Sequence, residues 1–219
     1  MIRRLVLFDV DGTLLHAGGH GAAVFDRALE AVLGRAPEVR VRMGGKTDPQ
    51  IVSEYLELMH AAPEALPEIL RHLEEGLEAA AAAMAADGYV LPGVVDLLER
   101  LHCDRRVVST VLTGNVAPNA VVKLTAFGLE RWLDLEVGAY GSDDADRRVL
   151  VPVALRRVAG RHGVELTAGD TWVVGDTPRD LECAQAAGAR CLLVGTGTYP
   201  LEELEGLGAD QIRPSLEPV

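Results

Sequence analysis

The chain has 219 residues, 48% of them hydrophobic, and a formal net charge of −12 at pH 7. That length supports one sizeable core, or a core carrying one insertion. The acidic balance repels phosphate backbones and anionic lipid, which argues against nucleic acid and membrane surfaces as partners; a small anionic ligand would need a locally positive pocket.

In chain order, Leu5-Val6-Leu7-Phe8 predicts a short strand buried on both faces. It runs into Asp9-Val10-Asp11-Gly12-Thr13. Two carboxylates so close repel unless a cation lies between them, so the pair points to a hard metal, Mg²⁺ first among them. An ordinary Asp-Gly turn is the plainer alternative. Residues 14–21 hold Gly18, Gly19 and Gly21 and read as a loop or hinge, with His16 and His20 as loop residues rather than ligands. Helical spacing follows over Ala22 to Leu33, then over a segment in which Asp48 is the expected N-cap and Pro49 the first helical residue, then over Ala65 to Ala86. Residues 19–87 thus read as three helices without a convincing strand.

The pattern then alternates. A helix through Val94, Leu97, Leu98 and Leu101 precedes a strand over Val107 to Leu112. A helix over Pro118 to Phe127, a short strand over Leu133 to Ala139 and a helix over Val149 to Arg161 come next. Strands over Thr171 to Val174 and Cys191 to Val194 flank a helix over Asp180 to Ala187. Such alternation implies a parallel sheet covered by helices, an α/β Rossmann-like core. The first strand belongs to that sheet, so the domain reading is a core of residues 1–17 and 88–219 with a helical cap of residues 18–87. The apolar run after Arg3 and Arg4 stops at Asp9, too short for a signal segment, and no stretch approaches membrane-spanning length. Cys103, Cys183 and Cys191 lack metal-ligand spacing and read as buried, reduced thiols of a cytoplasmic protein.

Reactive groups in parallel sheets gather at the carboxyl ends of the strands. Here those ends carry Asp9 and Asp11, then Thr113-Gly114-Asn115, then Gly175-Asp176-Thr177-Pro178-Arg179-Asp180. Each alone reads as a turn or a capped helix start; together they supply carboxylates and a hydroxyl to one pocket.

The string Phe-Asp-Val-Asp-Gly-Thr-Leu resembles the nucleophile loop of the haloacid dehalogenase superfamily, and nearly the whole chain is similar to that superfamily's first subfamily of phosphatases, with its helical cap, the phosphoglycolate phosphatases among them. The resemblance implies a Mg²⁺-dependent phosphohydrolase of small phosphorylated metabolites, working through an aspartyl-phosphate. It makes Asp9 the nucleophile and Asp11 the general acid/base. Thr113, with Gly114 and Asn115, becomes the phosphate-binding segment. The metal falls to the Asp9 side chain, the Asp11 backbone carbonyl and Asp176, with Asp180 as a supporting or water-mediated acid. The family's usual lysine ahead of the helix after the third strand is missing; Arg147 or Arg148 stands in that region, and Arg147 is favoured. Lys46, after Met43-Gly44-Gly45, is a candidate specificity residue of the cap, or, as in phosphonoacetaldehyde hydrolases, a Schiff-base lysine. A haloacid dehalogenase is disfavoured because Asp11 is present. Phosphoglucomutase-like transfer and, in a different class, a non-catalytic phospho-accepting receiver remain as alternatives. The physiological substrate and the oligomeric state are not legible.

Overall fold

The computed structural model describes residues 1–218. Five parallel strands form the central sheet: β1 (Arg4–Phe8), β4 (Val107–Val111), β5 (Thr171–Gly175), β6 (Arg190–Val194) and β7 (Gln211–Arg213), in the order β4-β1-β5-β6-β7. Leu5 to Phe8 are buried, as a strand covered on both faces requires. Between β1 and β4 the chain forms β2 (Leu15–His16), then α1 (His20–Leu33), α2 (Asp48–Leu58) and α3 (Leu66–Asp87), then β3 (Tyr89–Val90) and α4 (Val94–Cys103). Helices α5 (Ala117–Ala126) and α6 (Leu150–His162) lie between β4 and β5; α7 (Pro178–Ala187) and α8 (Leu201–Glu205) complete the crossovers to β6 and β7.

The insert leaves and re-enters the core at one place. β2 and β3 pair antiparallel, Leu15 with Val90 and His16 with Tyr89, so what reads as a loop in the sequence includes half of a two-stranded ribbon. Two residues per strand are too few for a period-2 pattern to register. The three helices do not form a separate core. Val24, Leu29, Tyr55, Leu73 and Met84 of the insert belong to the same buried cluster as Leu98, Val111, Ala120 and Leu124 of the α/β part.

Three local expectations need correction. Leu133 to Ala139 is not a strand: it holds a 3₁₀ turn at Leu135–Val137 and touches the sheet only through an isolated bridge from Ala139 to Leu112. Leu133, Val137 and Ala139 are buried because the segment covers the outer edge of β4, where the Asp134 N–H donates to the Ser109 carbonyl. Asp48 is not the cap of α2. Thr47 is, accepting the Gln50 N–H on its hydroxyl, and Asp48 is the first helical residue, ahead of Pro49. Cys103 is exposed, whereas Cys183 and Cys191 are buried as expected, burial pushing the Cys183 thiol up to about 12.

Candidate active site

The carboxyl ends of β1, β4 and β5 open into a cavity of about 520 Å³. β1 lies between β4 and β5, so the chain leaves it at the point where the strand order reverses, the usual location of a ligand crevice in an open α/β sheet. Asp9 follows the last residue of β1, anchored by its N–H to the Val174 carbonyl at 2.8 Å. Gly12 then turns the chain with φ of 86°; a β-carbon there would lie 2.6 Å from Asp176 Oδ2, so only glycine lets this loop close on β5.

Asp9 is buried, and its Oδ1 accepts from Arg147 Nη2 at 2.8 Å. The same nitrogen donates to Asp180 Oδ1 at 2.5 Å and to the Leu112 carbonyl at 3.2 Å. Arg147 begins a 3₁₀ turn that leads into α6, and Cys183 of α7 donates its S–H to the Arg147 carbonyl at 3.0 Å. Arg148, by contrast, is exposed and folds back onto Asp146. Of the two arginines it is therefore Arg147 that reaches Asp9 and Asp180, while Arg148 stays at the surface. Arg147 Nε remains a buried donor without a partner among the described residues.

Asp176 and Asp180 complete an acidic cluster. One oxygen from each of Asp9, Asp176 and Asp180 lies within 4.8 Å of the others. Asp180 is committed on both oxygens, Oδ1 to Arg147 and Oδ2 to the Thr177 N–H and hydroxyl in a capping box at the start of α7. Asp180 thus serves the start of α7 and is at the same time a partner of Arg147. Asp176 Oδ1 accepts the Thr13 hydroxyl at 3.0 Å, which leaves Oδ2 of Asp176 and Oδ2 of Asp9 without a hydrogen bond among the described residues. Burial, opposed by Arg147, raises Asp9 to about 6; burial, then the charges of Asp9 and Asp180, raise Asp176 well above the carboxylate range. A pair of free carboxylate oxygens whose charges resist coexistence fits a divalent cation, which takes oxygen ligands and would relieve that repulsion.

Asp11 turns away from this cluster. Its Oδ2 accepts from Lys123 Nζ at 2.6 Å and from Asn115 Nδ2 at 2.8 Å, and Lys123 also donates to Asn115 Oδ1 at 2.7 Å. Burial acts to raise Asp11, but Lys123 and Asn115 outweigh it and hold the carboxyl below its ordinary range. So the two aspartates do not share one cation through their side chains. Thr113 lies in the same wall, its hydroxyl oxygen accepting from the Asn115 N–H and side-chain amide, so its proton is free to donate.

Lys123 escapes the sequence reading. A lysine within a helix ordinarily reads as solvated, and only the spacing Asn115, Asn119, Lys123, four residues apart along one face, marks the row. Asp48 also acquires a different meaning. Its N–H donates to the Gly114 carbonyl at 2.7 Å, and its Oδ2 accepts the Val116 N–H at 2.9 Å. Beside these, the Thr47 hydroxyl donates to the Ala145 carbonyl at 2.8 Å. The insert is thus stitched to the Thr113–Asn115 segment. Gly114 permits the approach, since a β-carbon there would collide with the Lys46 carbonyl. Lys46 lines the cavity with its ammonium on Glu54. His16 stacks on Tyr89, and His20 pairs with Asp87 at 2.8 Å; only His16 borders the cavity.

A family model described as haloacid dehalogenase-like hydrolase matches residues 6–185, which include Asp9, Asp11, Thr113, Lys123, Arg147, Asp176 and Asp180. The chain belongs to that family. A phosphoglycolate phosphatase of Pseudomonas fluorescens (strain Pf0-1) is 32% identical over 206 residues, 89% of this chain and 70% of that protein. One of Pectobacterium atrosepticum is 30% identical over 189 residues, 85% of this chain and 78% of that protein. Among solved structures, CbbY from Rhodobacter sphaeroides in complex with phosphate superposes with a TM-score of 0.73 at 23% identity, covering 99% of this chain and 95% of that one, a likeness of fold. The chain is an enzyme, a phosphatase of the haloacid dehalogenase-like family. Among the described residues no helix is long and apolar enough to cross a membrane.

Proposed function

We propose that this haloacid dehalogenase-like phosphatase hydrolyses small phosphomonoesters with Mg²⁺ and an aspartyl-phosphate on Asp9. The observation that carries this reading is the buried Asp9 carboxylate at the end of β1, held by Arg147 on one oxygen and open on the other, with Asp176 beside it and Asp11 and Thr113 on the same cavity. Asp9, Asp176 and the Asp11 carbonyl would hold the metal, which supplies charge neutralisation for an anionic nucleophile facing an anionic phosphate. The Asp9 oxygen attacks phosphorus as the ester P–O bond breaks, and Asp11 gives its proton to the leaving oxygen. Water then attacks the phosphoryl group, its proton goes to Asp11, and the bond to Asp9 breaks. The Thr113 hydroxyl and nearby amides bind the phosphoryl oxygens. Lys123 favours the ionised form of Asp11, the form that accepts the proton from water, so Asp11 must exchange Lys123 for a proton before it can serve the leaving oxygen.

Residues 18–87 cover the strand ends and would exclude water during transfer, opening to release product. Lys46 in its ion pair with Glu54 does not favour the Schiff-base alternative, which needs a neutral amine.

The test is substitution at the two aspartates. Asp9→Asn keeps shape and removes the nucleophile, so Mg²⁺-dependent release of phosphate from p-nitrophenyl phosphate should drop by about 10³ or more with an unchanged circular dichroism spectrum. Asp11→Asn should be severely impaired as well. Near-normal turnover in Asp9→Asn would refute the covalent route, and stable phosphorylation without turnover would return the receiver alternative.

A further inference from the structure

The cavity is larger than a phosphoryl group and a two-carbon tail require. Its volume, about 520 Å³, lies in the range that holds ligands of drug size. Its lining is mixed, and includes the apolar and aromatic side chains Phe25 of α1, Met43, Ile51 of α2 and the His16–Tyr89 stack, whose centroids are 5.2 Å apart. His16 Nδ1 accepts the Gly18 N–H at 3.2 Å.

Three lysine and arginine side chains reach the cavity among the described residues, and each is already matched by a carboxylate of the chain. Arg147 is held by Asp9 and Asp180, and Lys123 by Asp11, all at the reacting end. Lys46 is the third, and comes from the insert rather than from the α/β part. Its ammonium pairs with Glu54 Oε2, and Gln50 Nε2 donates to Glu54 Oε1 at 3.1 Å, so the acid is itself held in place along α2. Glu54 lies outside the cavity lining and acts through Lys46.

Resting on the phosphatase reading above, we infer that Glu54 sets the charge of the substrate this enzyme accepts: by neutralising Lys46 it selects phosphomonoesters with an uncharged, partly apolar tail and rejects those whose tail bears a carboxylate. A carboxylate brought to Lys46 must displace Glu54 and leave it beside another anion, or else lie unpaired against Phe25 and Ile51. Both outcomes penalise the wrong substrate more than they reward the right one. An uncharged tail leaves the Lys46–Glu54 pair intact and gains from the apolar wall. Glu54 is a positioning residue for specificity, and no part of the chemistry at phosphorus.

The experiment compares two phosphomonoesters matched in size, 2-phosphoglycolate and 2-hydroxyethyl phosphate, with p-nitrophenyl phosphate as a third substrate. Because the ratio of kcat/KM for the matched pair is taken on one preparation, partial misfolding cancels. The wild-type enzyme should favour 2-hydroxyethyl phosphate by about tenfold or more. Glu54→Gln should move the ratio toward phosphoglycolate by about tenfold or more, through KM rather than kcat, because Lys46 is released to meet the carboxylate. Adding Lys46→Met to Glu54→Gln should cancel that shift. A wild-type preference for phosphoglycolate, or a ratio unmoved by Glu54→Gln, overturns the inference while p-nitrophenyl phosphate turnover leaves the phosphatase reading standing. No phosphate release from any of the three substrates overturns both.

Discussion

Arg147 and Arg148 are neighbours in sequence and opposites in environment. Arg147 is the counter-charge to two buried carboxylates, and burial, which alone would lower its pKa, is outweighed by Asp180 and Asp9, so it stays charged. Arg147→Ala strands both acids, and removing one partner of a buried ion pair costs about 3–5 kcal/mol. Both the melting temperature and phosphatase turnover should fall sharply. Arg148→Ala touches only Asp146 at the surface and should change stability by less than about 0.5 kcal/mol, with normal turnover. Equal, small effects in both variants would place the essential cation elsewhere. Asp9, Thr113 and Asp176 stood out in the sequence because each closely follows a strand run. Which arginine faces the site was decidable only in the fold, since adjacent residues in a 3₁₀ turn point about 120° apart and the surrounding acidic residues offer no periodicity. Lys123 was illegible for a related reason: its two partners come from elements 8 and 112 residues away.

At the scale of elements, the decisive contact is the one between the start of α2 and the loop after β4. Asp48 is buried in that seam, and burial, opposed by Lys123 and the Val116 N–H, raises its carboxyl to about 6. The native protein therefore binds this proton more tightly than the unfolded chain does. The stabilisation is complete below the unfolded value of 3.8 and is lost as pH rises through about 6. Asp48→Asn keeps an acceptor for the Val116 N–H and removes the titration. In urea unfolding the variant should gain on the wild type between pH 4 and pH 6.5, by an amount on the order of 2–3 kcal/mol. Parallel pH profiles for the two proteins would clear Asp48 of this role. The long helices α3, α5 and α6 could be read from their spacing, to within a few residues at each end. The segment Leu133 to Ala139 misled because burial at a sheet edge imposes the same apolar composition as pairing within the sheet. β2, β3 and β7 escaped notice because strands of two or three residues carry no pattern to read.

For the molecule as a whole, the elevated carboxyls of Asp9 and Asp176 tie global stability to the proposed metal. A divalent ion competes with protons for these oxygens, so Mg²⁺ should raise the melting temperature by several degrees at pH 7.5 and by much less at pH 5; a hundredfold excess over Kd corresponds to about 2.7 kcal/mol. Asp176→Asn should lose that response, and a shift indifferent to pH or to this substitution would move the metal to other ligands. The sheet order has a consequence of its own, for synthesis. β1 pairs with β4 and β5, Leu5 meeting Val108 on one side and Thr171 on the other. A ribosome therefore delivers the strand bearing Asp9 long before either neighbour exists. The four α-helices made between β1 and β4 can form from local contacts, whereas Leu5 to Phe8 must wait, apolar and unpaired, as a nascent segment in need of shelter from aggregation. The chain extends another 138 residues beyond Asp9 before Arg147 is made. The proposed nucleophile is made early and armed late, and a nascent chain that stalls before Arg147 emerges carries Asp9 without its counter-charge.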